Sequence, residues 1–314
     1  MSSQHVKTLF YAILAAAIFS AVTFCGPAGN KTRAAVVTYA SPDTQIVRGT
    51  ETIQAQIGTV LKEMDVIQTG QGPMDLQTTT GSTVRVRPFT RLELTVLLSN
   101  KTVQLDLQSG GLSARVQRAT AGENFTVATP TAIAGVRGTS FTVVEDPTKG
   151  AIVTVVDGKV AMAPRESATQ AKPVVEKEIV VEASESATLI ESRDAVEKSK
   201  VELTLQDQAD FEAMIEVDEA ILVKAGQLEK PTAEIVTEIK TDYNQKRDAA
   251  FDRIAEKAGS AELKAGTIVE VLRLKDGGSY SGTIITQAGD TLIIQGKEGV
   301  KRFKLDQVTG IEFE

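Results

Sequence analysis

The sequence predicts a mainly β protein with an α-helical interruption, and three observations carry that expectation. Residues 36–189 are dense in Val, Thr and Ile, punctuated by glycine, in short runs of alternating polarity. Residues 191–260 turn rich in Glu, Lys and Ala, with apolar positions at helical spacing. Beyond residue 265 the short alternating runs return.

The first segment contains "STVRVRP" (82–88), "RLELTVLL" (91–98), "TVQLDLQSG" (102–110), "LSARVQR" (112–118), "NFTVATP" (124–130), "SFTVVED" (140–146) and "AIVTVVDGKVAMA" (151–163). So many short strands suit a sandwich, a barrel or a β-solenoid. Asp157-Gly158 reads as a hairpin turn. Within 82–88 valines alternate with arginines, which places Arg85 and Arg87 on a solvated strand face.

In the middle segment Phe211, Ile215 and Ile221 recur near helical spacing. Ile235, Ile239 and Tyr243 follow an i, i+4 rule, as do Ala250 and Ile254. Ala225-Gly226 and Gly259 suit helix ends, and Pro231 suits a first turn. The reading is an antiparallel helical hairpin over 191–260, packed as a spacer on the β segment.

Turns at Asp276-Gly277-Gly278, Ala288-Gly289-Asp290 and Lys297-Glu298-Gly299 divide 265–314 into five short strands. Val269, Val271, Leu292, Ile294, Phe303, Leu305, Val308, Ile311 and Phe313 are its expected core. The pattern resembles small SH3-like or Sm-like β-barrels. Sm-like barrels often bind RNA, but here six Lys or Arg face seven Asp or Glu, which leaves no basic footprint. Lys301, Arg302 and Lys304 read as a solvated strand face.

Composition excludes several functions. The net charge of −7 and a pI near 5.1 argue against nucleic-acid binding. Trp is absent, so interfaces built on large aromatic anchors are not expected. His5 and Cys25 are the single members of their types. Zinc sites and His-dependent catalysis therefore lack their usual groups in the body of the chain. No catalytic residue, cofactor or metal ligand is assigned, and the expectation is a protein that is not an enzyme.

Near the N-terminus Lys7 precedes an apolar run over 9–24, followed by Cys25, Gly26 and Pro27. This is the layout of a secretory signal. A Cys directly after the run resembles a bacterial lipoprotein signal, although Phe24 departs from the usual small residue. The resemblance implies a signal peptide over 1–25, a lipid on Cys25, a tether over 26–40 and an exported, membrane-anchored body. The body would stand in the periplasm or at the outer membrane, with surface exposure as one variant of that placement. An uncleaved anchor helix with an incidental Cys is the alternative.

The most informative stretch is "TPTAIAGVRGTSF" (129–141). Pro130 ends an extended run and cannot donate to a ladder. Gly135 and Gly138 permit dihedrals or close approaches that a Cβ forbids. Val136 and Phe141 point to a core. Arg137 stands among apolar neighbours and reads first as a structural arginine bonded across the turn, second as a ligand contact. The stretch therefore reads as a strand-to-strand crossover.

Thr129, Pro130, Ala132, Val136, Arg137, Gly138, Thr139, Phe141 and Val143 resemble the signature of the FecR domain, an envelope module of iron-transport signalling regulators. The resemblance covers about 44–189, so a β-domain over 41–190 is expected. It implies Thr129, Pro130, Gly135, Val136, Arg137, Gly138, Thr139 and Phe141 as signature or binding residues. The signalling regulators carry a cytoplasmic segment that contacts a sigma factor. Only eight residues precede the apolar run here, so no sigma-factor contact is expected. The first functional expectation is a non-catalytic envelope scaffold that contacts an envelope protein or cell-wall glycan. The alternatives are a periplasmic sensory module signalling through a membrane partner, and a hydrolase working through carboxylates.

Overall fold

Alternating polarity along the β segment becomes two sheets that enclose one apolar interior. The computed structural model describes residues 34–97, 102–118, 124–165, 178–189, 196–201, 203–259 and 269–313. The expected signal segment, Cys25 and most of the tether lie outside these residues.

In chain order the strands are β1 (Ala35–Ala40), β2 (Gln45–Arg48), β3 (Glu51–Gln54), β4 (Val60–Leu61), β5 (Val66–Gln68) and β6 (Met74–Thr78). Next come β7 (Thr83–Val86), β8 (Arg91–Leu97), β9 (Thr102–Arg115), β10 (Asn124–Ala128), β11 (Ala132–Val136) and β12 (Ser140–Asp146). The series continues with β13 (Gly150–Asp157), β14 (Lys159–Pro164), β15 (Ile179–Glu182), β16 (Glu185–Leu189) and β17 (Val196–Lys200).

The first sheet runs β4-β1-β6-β7-β9-β12-β13-β16-β17, antiparallel throughout. The second runs β3-β2-β5-β8-β9-β10-β11-β14-β15, antiparallel except for the parallel pair β9–β10. The chain passes from one sheet to the other after every strand or hairpin. Sandwich and solenoid readings are thus both met: two layers, with a winding path between them. Val84, Val86, Leu105, Leu112, Val136, Phe141, Val153 and Met162 belong to the shared core.

Strand β9 serves both sheets. Residues up to Ser109 pair with β8, and residues from Gly110 onward pair with β12. Gly110 makes this corner with φ +86°, and a Cβ there would lie 2.7 Å from the Thr90 Cα. Only glycine meets both demands.

Two expectations change here. The tether over 26–40 gives way to β1 from Ala35, because "AVVTYA" is apolar and its first five residues are buried. Asp157-Gly158 is a corner and not a hairpin, since β13 and β14 lie in different sheets. The dipeptide supplies a left-handed glycine (φ +86°), which suits either use. The β12–β13 hairpin instead closes where the Asp146 carboxylate accepts from the Thr148 and Lys149 amides.

The expected hairpin over 191–260 is three helices preceded by an edge strand, β17. The helices are α1 (Leu205–Ala213), α2 (Glu219–Ala225) and α3 (Ala233–Gly259). Thr204 and Asp218 cap the first two by accepting backbone N–H bonds. The anticipated apolar face of α3 is buried at Ile235, Ile239, Tyr243, Ala250 and Ile254. Part of it packs with Val36 and Tyr39 of β1, so the helices cover the outer face of the first sheet. The connection between α1 and α2 is tacked down by Gln77, which exchanges two hydrogen bonds with the Val217 backbone at 2.8 and 3.0 Å.

The C-terminal strands are β18 (Glu270–Leu274), β19 (Ser279–Ala288), β20 (Thr291–Gly296), β21 (Gly299–Lys304) and β22 (Val308–Phe313). They form an antiparallel sheet ordered β21-β20-β19-β18-β22. Among the described residues no ladder joins β21 to β22, so the expected small barrel is an open sheet. One face of β19 and β20 is occupied instead: Ile285, Ala288 and Ile293 pack with Ala209 and Ala213 of α1 and with Phe251 and Ile254 of α3. Of the expected core, Val271, Leu292 and Ile294 are buried. Val269, Phe303, Leu305 and Val308 are half-buried, and Ile311 is 37% exposed. The Phe313 side chain lies outside the description. Lys301, Arg302 and Lys304 are not simply solvated but reach Glu298, Asp252 and Asp290. Arg302 also lies over the Phe251 ring, which ties β21 to α3.

Gly110→Ala is expected to cost about 1–3 kcal/mol through forced left-handed backbone and the clash with Thr90. Urea denaturation should show a lower midpoint with an unchanged slope.

Candidate binding site

Strand β7 sends Val84 and Val86 into the core and Arg85 to the opposite face. Helices and the C-terminal sheet cover that face, so Arg85 is 1% exposed and the solvated reading is corrected. Its five N–H donors all find acceptors. Nε and Nη2 grip the two Asp75 oxygens at 2.8 and 2.9 Å. Nη2 also donates to the Ala213 carbonyl of α1 at 2.9 Å. Nη1 donates to Thr286 Oγ1 at 3.2 Å and to the Gln287 carbonyl at 3.0 Å, both in β19. Thr286 in turn donates a hydrogen bond from its hydroxyl to Asp210 Oδ1 at 2.9 Å.

Arg87 is partly covered as well, with its side chain 20% exposed. It donates to Asp207 at 2.7 Å and lies 3.2 Å from Asp210, both on α1. Burial works against the charge on Arg85, and the carboxylates of Asp75 and Asp210 more than offset it, so the guanidinium stays charged. Beside it, Tyr39 stacks on Tyr243 and its hydroxyl accepts from Gln287 Nε2 at 2.7 Å.

Above this ion network lies a cleft of about 300 Å³. Its sandwich wall comes from Ser41 to Asp43, Gln71 to Pro73, Arg87 and Pro88. Gln206 and Asp210 of α1 contribute one end, and Ile284, Thr286, Gln287, Leu292, Leu305 and Ile311 form the other wall. The exposure of Ile311, unexpected for a core position, is explained by its place in this cleft.

The signature residues lie elsewhere, and none of them lines the cleft. Thr129 Oγ1 accepts from the Thr131 and Ala132 amides and shapes the β10–β11 turn, with Pro130 exposed at its tip. Gly135 sits within β11, opposite Thr126 and Ala161. Val136 and Phe141 are buried as expected, and Phe141 meets Phe125 edge-on. Residues 137–139 carry the chain from the second sheet to the first. Gly138 has φ +65°, and a Cβ there would lie 2.5 Å from Arg118 Cγ. Thr139 Oγ1 donates to the Lys159 carbonyl at 2.8 Å, joining two corners. The stretch is therefore a crossover. Arg137 departs from its structural reading: it is exposed and its guanidinium has no hydrogen bond or ion pair among the described residues.

Sequence reasoning missed Asp75, Arg85, Asp210 and Thr286. One signal was present: Asp75 and Arg85 are directly opposed across the hairpin turned by Gly81-Ser82. Among the described residues no cluster of three or more His, Cys, Asp or Glu has the arrangement to hold a metal ion.

Residues 65–161 match the family described as FecR protein. The match spans β5 to β14 and includes Asp75, Arg85 and the whole crossover, while the helices and C-terminal sheet fall outside it. The fold is also similar to two crystal structures of a candidate anti-sigma factor from Parabacteroides distasonis ATCC 8503, at 1.65 and 2.50 Å resolution. Each shares 20% identity over 47% of this chain and 64% of its own length, with a TM-score of 0.38. The chain thus spans less than two thirds of the structures it matches. No curated protein matches it.

Arg85→Ala should cost about 3–5 kcal/mol, because Asp75 is left buried without its counter-ion. Arg137→Ala should stay within about 0.5 kcal/mol of the parent. Chemical denaturation of the two variants side by side checks both.

Burial pushes the Glu212 carboxyl of α1 up, but hydrogen bonds from Lys257 and Arg253 of α3 overcome this and leave it below its ordinary value of 4.5. The unfolded chain then binds the proton more readily than the native one. The stabilisation is present above the ordinary value and disappears as pH falls through the lowered one. Thermal scans should show Tm holding down to about pH 5 and dropping below it, with a shallower drop in Glu212→Gln.

Proposed function

We propose that this chain is a non-catalytic sensory module of the cell envelope that signals through a membrane partner. The observation that carries the reading is the FecR match over 65–161, which falls on the two-sheet core and its crossover. The state of Arg137 supports it further. An arginine with a structural duty would be buried and bonded, whereas this one is exposed at a tightly built corner. We assign it to partner contact. The apolar run before Cys25 would deliver the body out of the cytoplasm, and a lipid on Cys25 would hold it at the membrane. The carboxylates nearest the cleft floor serve ion pairs: Asp75 is occupied by Arg85, and Asp210 by Thr286 and Arg87. No cofactor enters this function.

A scaffold that grips an envelope protein or cell-wall glycan is the second reading. It is favoured by the Arg85 contacts, which fasten the helices and the C-terminal sheet to the sandwich.

A photo-reactive residue in place of Arg137, activated in living cells, tests the choice. The sensory reading expects one membrane protein captured in good yield. Cell-wall fragments, or many abundant envelope proteins at low yield, would overturn it in favour of the scaffold.

A further inference from the structure

We propose that the cleft between the sandwich and the C-terminal sheet binds a neutral, polyhydroxylated ligand, a short saccharide. The inference goes beyond the sensory reading and uses none of the Arg137 surface.

Most of the cleft's charges are spent on each other; the exception, Asp43, is exposed and accepts from the Gln71 backbone amide. Arg85 uses all five donors within the protein, and Arg87 is held by Asp207 and Asp210. A strongly anionic ligand would have to break those pairs and would face the Asp43 carboxylate, while a cationic one would gain that single solvent-exposed carboxylate. What remains open beside the Asp43 carboxylate is amide chemistry. The side chains of Gln71 and Gln206 are exposed and make no hydrogen bond among the described residues. Each amide offers a donor and an acceptor in one plane, which suits neighbouring hydroxyls that both give and take hydrogen bonds. Facing them, Ile284, Leu305 and Ile311 provide an apolar wall for the C–H face of a sugar ring. A volume of about 300 Å³ lies at the small end of ligand sites, fitting one or two rings.

A peptide fits less well. Peptides in such places usually extend a sheet through main-chain bonds. The floor strands leave no ladder free for one, since β7 pairs with β6 and β9, and β19 pairs with β18 and β20, which leaves only the outer edge of β22 beside Ile311.

Calorimetry on the purified full chain with maltotriose and chitotriose, beside co-sedimentation with peptidoglycan, tests the proposal. At least one of these probes should bind. The double variant Gln71→Ala/Gln206→Ala should weaken that binding by about tenfold or more through lost hydrogen bonds, while leaving the Tm of the free chain unchanged. Binding of a soluble trisaccharide identifies a free sugar as the source, and amide-dependent co-sedimentation alone identifies the polymer. The proposal is overturned if no probe binds at about 10 mM, a concentration at which even millimolar affinity is visible. It is equally overturned if binding ignores the double variant. Either result leaves the cross-linking test of the sensory reading untouched.

Discussion

Arg85 links the first sheet, the helices and the C-terminal sheet, and the arrangement follows from the chemistry of a guanidinium that has been taken out of water. Such a group must satisfy five donors and one charge, because the low-dielectric interior penalises whatever is left unmet. Asp75 supplies the charge from the neighbouring strand. The remaining donors need oxygens from somewhere else, and they come from α1 and β19. Sandwich, helix and C-terminal sheet are therefore held in one relation by a single side chain, with Arg87 repeating the link to α1. The cleft exists because these three parts meet around the clamp without filling the space above it.

The periodic features were readable from the sequence. Alternation revealed the strands, the i, i+4 pattern revealed the buried side of α3, and the glycines marked corners. What alternation cannot state is what covers a strand's second face. Arg85 and Arg87 look like any solvated arginines until the helices are placed over them. For the same reason Ile285 and Ile293 carry no mark that distinguishes helix contacts from the interior of a barrel, so the open C-terminal sheet was read as closed. Residues 196–200 were taken as helical from their Glu and Lys content, yet the open side of β16 offered a ladder, and tertiary pairing overrode composition.

The signature illustrates a different limit. Its glycines, threonines and core residues were legible as architecture because each has a steric or hydrogen-bonding reason for its place. Arg137 has no such reason inside the fold. A motif can thus join residues that build a corner with one that the corner merely presents. The cleft, by contrast, has no local sequence signal at all, since its walls come from segments more than two hundred residues apart, such as Pro42 and Ile311.

The path of the chain has a kinetic consequence. Because each strand or hairpin is followed by a step to the opposite sheet, no contiguous stretch can complete either layer on its own. The strand that joins the layers, β9, needs partners from both sides of the sequence before its corner is fixed. Loop closure must come before most of the reward from pairing, which makes for slow, late-committing assembly. A chain that emerges extended during synthesis would hold its apolar strands unpaired until β12 to β16 had arrived, so its hazard during biogenesis is aggregation rather than loss of the finished state.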